Sequence, residues 1–310
     1  MPGKRPLQIG LNIPNGTGYM AQGVYRWDQI VAFAQLAEAV GFDSLWVADH
    51  MLFRFPNENE TQSRWECWAV LAGLATVTSR VRLGPLVSCM NFRNPAHLAK
   101  IAESVDEMSN GRLVLAVGAG WHEPEFTSHG FPFDHRASRF EEGLSILHDL
   151  LRTGKSSHSG EYWTLIDGEV APRGPRPNQI PIIGGTNGPR LLRATARLAD
   201  GWNTDWIGTP DALPPLMTAV DAACHEVGRD PATLLRSACV YIDLPAAQGR
   251  FPLPRVDERQ PGAQSHAQII ENIHRYREAG LDEIMVWLDP NTLESVEEFG
   301  TILQKLDGGS

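Results

Sequence analysis

Short apolar runs alternate with amphipathic helical segments along most of the 310-residue chain. The runs that are long enough for strands are Leu7 to Ile13, Ser44 to Ala48, Val81 to Cys89, Leu113 to Val117, Ile180 to Gly184, Gly201 to Thr204, Leu235 to Leu244 and Glu283 to Leu288. Between them apolar residues recur at helical spacing, as at Phe140, Leu144, Leu147 and Leu151. Eight strands that alternate with eight helices predict a parallel (β/α)8 TIM barrel, with a doubly wound sheet as the alternative.

Glycine, asparagine and proline mark several helix ends in this pattern. The first helix ends at Gly41, a residue type that readily adopts the left-handed cap conformation. Another begins at Asn94-Pro95, with asparagine as the N-cap and proline in the first turn. Two stretches without periodicity, Met51 to Ser63 and Pro245 to Ala263, follow strands and would overhang the C-terminal mouth of a barrel. We expect each to be either a lid over a ligand or a solvated loop.

Composition and charge narrow the class of protein. With 27 basic and 37 acidic side chains the formal net charge is −10, which argues against a general nucleic-acid binder but not against a small anionic ligand. No window approaches the roughly 20 apolar residues of a membrane span, and the N-terminus shows no secretory signal. The four cysteines lack metal-binding or CxxC spacing, so we expect reduced thiols in one cytoplasmic domain that covers residues 1–310.

The dipeptide Asp49-His50 is the first candidate for chemistry. It ends the second strand, on the C-terminal face of a barrel, where catalytic residues lie. Histidine transfers protons near neutral pH, so His50 is the predicted acid or base. If the carboxylate of Asp49 reaches the ring N–H of His50, Asp49 would fix the tautomer of the imidazole. The alternative is a capping aspartate beside a histidine that holds the following loop.

Two glycine-rich turns follow later strands. The turn Gly184-Gly185-Thr186-Asn187-Gly188 precedes a helix and offers backbone N–H groups, a hydroxyl and the positive end of the helix dipole. It is predicted to bind a phosphate, with Arg190 as a charge partner, or else to be a tight turn with an N-cap. The turn Gly118-Ala119-Gly120 lacks the third glycine of a dinucleotide fingerprint, but it would let a flat ligand approach the backbone.

Other polar and aromatic residues near strand ends carry weaker signals. His122, His129 and His135 are spaced too irregularly for a metal site. With Glu123 and Glu125 they are expected to be solvated loop residues. Four tryptophans at or near strand ends either wall a flat apolar pocket or close the barrel, namely Trp46, Trp121, Trp202 and Trp206.

An ordered series of motifs resembles the bacterial-luciferase-like superfamily. The series comprises Gly41 to His50, Ser79 to Gly84, Phe92 to Pro95, Ser109 to Leu113, Gly118 to Trp121, Gly184-Gly185 and Ala199 to Asn203. Asp49-His50 and Gly118 to Trp121 are most similar to the F420-dependent oxidoreductase branch. Sugar-phosphate dehydrogenases of that branch have a tryptophan where Arg54 stands and a glutamate where Trp121 stands, so their substrate is not expected here.

The resemblance implies a β/α barrel that binds coenzyme F420, or alternatively FMN, at its C-terminal mouth. It implies that His50 lies near the reactive face of the cofactor ring, and that a bulge at Leu86, Val87 and Ser88 supports the ring. A non-proline cis peptide is expected in that bulge, at Leu86–Val87. The turn at residues 184–188 would lie near the phosphate, and Gly118 and Gly120 near the flat part of the ligand.

Three functions are therefore expected. The first is an oxidoreductase that moves a hydride between coenzyme F420 and a small organic substrate. The alternatives are an FMN-dependent monooxygenase, which takes reduced flavin from a separate reductase and consumes O2, and a flavin-binding protein without catalysis. The resemblance also implies a homodimer formed through helices near strands two and three. There an apolar set either forms the interface or faces the barrel, namely Trp65, Trp68, Leu71 and Leu74.

Overall fold

The strands of the protein were located in a computed structural model, which describes residues 5–17, 25–55, 61–247 and 262–308. They are β1 (Gln8–Ile13), β2 (Ser44–Val47), β3 (Leu52–Phe53), β4 (Gln62–Ser63), β5 (Arg82–Pro85), β6 (Ser88–Cys89), β7 (Leu115–Gly118), β8 (Lys155–Ser159), β9 (Thr164–Glu169), β10 (Ile182–Gly185), β11 (Gly201–Ile207), β12 (Leu235–Asp243) and β13 (Glu283–Asp289). Each of the eight apolar runs predicted to be strands overlaps one or more of these elements.

Helices cover the outside of the sheet. They are α1 (Trp27–Val40), α2 (Cys67–Val77), α3 (Pro95–Met108), α4 (Glu123–His129), α5 (Arg136–Thr153), α6 (Pro189–Leu198), α7 (Leu213–Glu226), α8 (His266–Glu278) and α9 (Leu293–Gly308). The predicted ends are confirmed for two of them. Gly41 caps α1 at φ 107°, and the Asn94 side chain accepts the N–H groups of Ala96 and His97 at the start of α3. None of the helices in the described ranges combines the length and hydropathy of a membrane span.

The parallel strands close into a barrel. They pair in the order β5-β2-β1-β13-β12-β11-β10-β7-β6. A bridge between Leu83 and Leu113 links β5 to the residues just before β7. Because β5 and β6 are two parts of one strand position, the sheet has eight positions. This confirms the predicted (β/α)8 TIM barrel.

Two segments for which no helix or strand was predicted contain regular secondary structure. The stretch from Met51 to Ser63 includes the antiparallel pair β3–β4, in which Leu52 lies opposite Ser63. The stretch after Gly120 contains α4, with a proline in its first turn and Gly130 as its left-handed cap. Most of the other predicted lid, Pro245 to Ala263, lies outside the described residues.

The apolar set proposed as a dimer interface mostly packs inside the chain. Trp68 is 4 % exposed, and Leu71 and Leu74 are fully buried in the layer between helices and barrel. Only Trp65, which precedes α2, is exposed, at 51 %. Three of the four residues therefore face the barrel, which was the alternative interpretation.

Polar side chains fix the N-terminal end of the barrel, opposite the mouth. The Arg112 guanidinium donates hydrogen bonds to the backbone carbonyls of Ala75, Thr78 and Val81. The Glu38 carboxylate accepts the backbone N–H groups that follow α2, at Ser79, Arg80 and Val81. Burial alone would raise the pKa of Glu38, but these three hydrogen bonds lower it below its ordinary value.

Candidate functional site

His50 lies at the C-terminal mouth directly after β2, and its ring is oriented by Glu125 of α4. Its Nδ1 is 2.9 Å from Glu125 Oε1, and the second carboxylate oxygen accepts the Met51 N–H at 2.9 Å. Glu125 is 1 % exposed, so water does not compete for this carboxylate. The other ring nitrogen, Nε2, has no hydrogen bond to any described residue, and the side chain keeps 18 % exposure. Nε2 is therefore the atom that a ligand at the mouth can reach.

Aromatic rings and a second histidine surround His50. The ring centroid of His50 lies 4.3 Å from that of Phe53 and 5.7 Å from that of Trp121, which is 58 % exposed. His122 Nε2 accepts the backbone N–H of Arg54 at 3.0 Å. Burial lowers the pKa of His122 and so favours the neutral ring, and because Nε2 accepts a hydrogen bond the ring proton lies on Nδ1. This neutral, fixed ring helps to seat the β3–β4 hairpin against α4.

Asp49 does not reach His50, which corrects the role predicted for it. Its carboxylate accepts a hydrogen bond from Arg93 Nη2 at 2.9 Å and a second one from Nη1 of the same guanidinium. It also accepts the Ser88 hydroxyl at 3.1 Å and the Cys89 N–H at 2.9 Å. Asp49 therefore anchors β6 to the end of β2, and the tautomer of His50 is set by Glu125.

The predicted bulge lies between β5 and β6, and its peptide bond Leu86–Val87 is cis, as expected. The Val87 side chain fills the space that side chains on two neighbouring strands would need. A Cβ on Gly118 would lie 2.6 Å from Val87 Cγ2, and one on Gly185 would lie 2.8 Å from Val87 Cγ1. These two glycines are required for the packing of Val87, which forms the wall of the mouth at this point.

Gly120 supports the site rather than lining it. It adopts φ +78°, and a Cβ there would lie 2.5 Å from Phe126 Cζ and 2.7 Å from Cys89 Sγ. The absence of a side chain lets α4 pack closely beneath the turn. That packing brings Glu125 under His50.

In the turn predicted to bind a phosphate, the backbone is exposed, but the Thr186 and Arg190 side chains bind other residues. Thr186 is 3 % exposed, and its hydroxyl lies 2.9 Å from that of Thr195 on α6 rather than at the surface. Arg190 donates to Glu141 and Ser138. Asn187 and Gly188 are exposed, Gly188 has φ +87°, and no side chain caps α6. Backbone N–H groups are therefore what this turn offers to an anion.

Glu125 and His122 were expected to be solvated loop residues, and that prediction is wrong. His122 is 5 % exposed and Glu125 is 1 % exposed. The signal for α4 was present in the sequence: a proline and two acidic residues open the segment, and Gly130 closes it. Among the described residues, no three His, Cys, Asp or Glu side chains are grouped so as to hold a metal ion.

The fold and the motifs at the mouth agree with a family match. The family described as luciferase-like monooxygenase matches residues 7–250, so the chain belongs to that family.

Two curated relatives resemble part of the chain. The chain is 31 % identical to the phthiodiolone/phenolphthiodiolone dimycocerosates ketoreductase of Mycobacterium bovis over 222 residues, which are 65 % of this chain and 57 % of the relative. It is 32 % identical to the F420-dependent glucose-6-phosphate dehydrogenase of Amycolatopsis mediterranei over 177 residues, 56 % of this chain and 52 % of the relative. The matched region therefore spans little more than half of each relative.

A solved structure shares the fold over almost the whole chain. An F420-dependent secondary alcohol dehydrogenase, in complex with an F420-acetone adduct, superposes with a TM-score of 0.80 at 21 % identity. The match covers 97 % of this chain and 99 % of that one.

Proposed function

We propose that the protein is an oxidoreductase that transfers a hydride between coenzyme F420 and a small organic substrate. The observation that carries this proposal is the His50–Glu125 pair, which holds one ring nitrogen and presents the other at the mouth. When bound, F420 supplies the carbon centre that donates or accepts the hydride. Nε2 of His50 gives or takes the proton on the substrate oxygen, and the buried Glu125 carboxylate stabilises the protonated ring. The names of a relative and of a structural neighbour support F420 as the cofactor.

The residues at the mouth fit a flat ring that carries a phosphate. Gly118 and Gly185 have no side chains, and Val87 fills the space between them. Leu86 and Val87 would therefore contact one face of the ring, whereas Ser88, which was also predicted to contact it, is fully buried and donates to Asp49. The N–H groups at residues 185–188 and at the start of α6 would hold the phosphate, because no side chain caps that helix.

An FMN-dependent monooxygenase is the second candidate function, because the family is described as luciferase-like monooxygenases. A separate flavin reductase would then supply the reduced flavin. Turnover of a carbonyl compound with reduced F420 under anaerobic conditions supports the first function. Oxygen consumption with reduced FMN supports the second. Tight flavin binding without turnover on a broad panel would leave the non-catalytic function.

We expect Asn187→Asp to weaken cofactor binding about tenfold to a hundredfold. The substitution keeps the size of an exposed side chain but places a carboxylate beside the proposed phosphate. Titration of the apoprotein with F420 and with FMN measures the effect. Gly185→Asp is a poorer probe, because its Cβ would lie too close to Val87 and would displace that side chain.

Gln179→Glu is the matched control for this charge. Gln179 is exposed and precedes β10, whereas Asn187 follows it, so the same charge is added at the opposite end of one strand. Affinity should be unchanged in Gln179→Glu. Equal affinities in both variants would place the phosphate elsewhere.

We also propose a homodimer, formed through the exposed tryptophans beside α1 and α2. Trp27 is 45 % exposed and Trp65 is 51 % exposed. Trp65 Nε1 donates to the Tyr25 carbonyl, which brings the two tryptophans to one side of the barrel. Light scattering at micromolar concentration should give twice the 34.2 kDa mass of the chain. Trp65→Glu should shift the mass to that of the monomer, and a monomeric parent protein would refute the interface.

A further inference from the structure

A hydrogen bond from the backbone attaches the end of β3 to the residue that precedes α4. The Arg54 N–H, directly after β3, donates to Nε2 of His122 at 3.0 Å, and His122 is 5 % exposed. Phe53, the last residue of β3, contacts two histidines, since its ring centroid lies 4.3 Å from that of His50 and 5.3 Å from that of His122. The bond between Arg54 and His122 therefore fixes the strand end whose side chain packs on His50.

Only a neutral His122 ring can accept this hydrogen bond. A neutral imidazole has one nitrogen that donates and one that accepts, whereas both nitrogens of the protonated ring donate. Protonation of His122 would therefore set the N–H of Nε2 against the N–H of Arg54, across the same 3.0 Å. Because a donor that loses its partner in a buried place costs free energy, protonation of the ring weakens the attachment of β3.

The charged and titratable groups near His122 belong to the end of β2, to β3 and to α4. They are His50, Arg54 and Glu125, while Glu123, next in sequence, is exposed. Burial is the largest influence on His122 and lowers its pKa below the ordinary value. The Glu125 carboxylate favours a protonated His122, and a positive charge on His50 disfavours it. The net direction favours the neutral ring that the hydrogen bond needs.

Two other hydrogen bonds between the same segments do not depend on the charge of His122. The Arg54 guanidinium donates to the Ser128 hydroxyl of α4 at 2.8 Å, and the Met51 N–H donates to the Glu125 carboxylate at 2.9 Å. Protonation of His122 should therefore loosen the end of β3 locally and leave α4 and the barrel folded.

We propose that His122 is a pH-sensitive positioning residue, which holds β3, and with it Phe53, against His50 more tightly when its own ring is neutral than when it is protonated. Because the attached state disfavours the proton, attachment is strongest at high pH and weakens as the pH falls below the ordinary histidine pKa of about 6.5. The packing beside the His50 ring therefore becomes less secure in mildly acidic solution. This inference concerns local structure and does not rest on the proposed function.

Hydrogen exchange of the Arg54 amide tests the proposal, measured by NMR on the full chain between about pH 5 and about pH 8. The ring signals of His122 give its pKa in the same samples. After correction for the intrinsic pH dependence of exchange, the protection factor should fall between about pH 6.5 and that pKa. The fall should be about tenfold for each pH unit between the two values. A protection factor that stays constant over this range would overturn the proposal.

Variants of His122 separate its charge from its hydrogen bond. In His122→Gln the amide oxygen can accept the Arg54 N–H but does not titrate, so protection should be retained and should no longer depend on pH. His122→Phe lacks the acceptor, so protection should be low at every pH. Ser128→Ala is the matched control, because it removes the exposed hydroxyl that binds the Arg54 guanidinium. It should lower protection by a constant factor and leave the pH dependence unchanged.

Two further histidines near this attachment provide the remaining comparisons. His129 is exposed on α4, and its Nδ1 lies 3.0 Å from the Glu125 carbonyl oxygen, so His129→Gln should keep the pH dependence of the parent protein. If the pH dependence persists in His122→Gln but disappears in His129→Gln or His50→Gln, another histidine is responsible and the proposal is wrong. Circular dichroism melting curves show whether each variant is folded. If His122→Gln is unfolded, the agreement between Arg54 protection and the His122 titration in the parent protein decides.

Discussion

Replacement of His50 by alanine should reduce turnover about 10²–10⁴-fold while the affinity for the cofactor changes little. Nε2 of His50 is the side-chain atom that the His50–Glu125 pair presents for proton transfer, and the loss of a positioned acid or base has this cost. Steady-state turnover with saturating cofactor gives the rate, and fluorescence titration gives the affinity. His97→Ala is the control, because His97 is exposed on the outer surface of α3.

Two further variants separate proton transfer from simple hydrogen bonding. His50→Gln keeps a polar group near the same place but cannot titrate, so it should be nearly as impaired as the alanine variant. Glu125→Gln keeps a hydrogen-bonding partner but removes the charge that stabilises the protonated ring. It should therefore lower turnover, but less than His50→Ala does. Full activity in His50→Gln would show that the ring only holds the loop.

Replacement of Asp49 by alanine should lower the free energy of unfolding by about 3–5 kcal/mol, which is typical when one partner of a buried ion pair is removed. The substitution leaves the Arg93 guanidinium, the Ser88 hydroxyl and the Cys89 N–H without their shared acceptor. Urea denaturation followed by circular dichroism measures the change. Because the same contacts hold β6, cofactor affinity should also fall.

Glu66→Gln is the matched control for this prediction. Glu66 binds the same guanidinium, but its side chain is 45 % exposed, so its ion pair contributes less than about 1 kcal/mol. Glutamine also keeps the acceptor for the Ala69 N–H at the start of α2. If Asp49→Ala unfolds like the parent protein but loses turnover, Asp49 acts in the chemistry, as the sequence first indicated.

The barrel was predictable because its determinants are local. The apolar runs at β1, β12 and β13 are buried on both faces, as expected for parallel strands between a core and a helical layer. Helix ends were predictable where a single residue decides them, as at Gly41 and Asn94. Short elements such as β3 and β4 were not predicted, because two residues are too few to show an alternation of apolar and polar positions.

The sequence predicted which residues of the site follow the ends of strands, but not the partners that those residues bind. The position of His50 follows from the end of β2, but its partner Glu125 is 75 residues away in sequence and belongs to a seven-residue helix. Asp49, the sequence neighbour, binds Arg93 instead, which is 44 residues away in sequence.

The contacts of Arg112 and Glu38 have a consequence for laboratory evolution of this protein. Both side chains bind backbone groups at the N-terminal end of the barrel, far from the mouth loops that carry His50 and Trp121. Random variation confined to those loops therefore leaves the anchoring hydrogen bonds untouched. A library diversified at the mouth should retain a high fraction of folded members, whereas one diversified around Arg112 should lose most of them before any new substrate is tested.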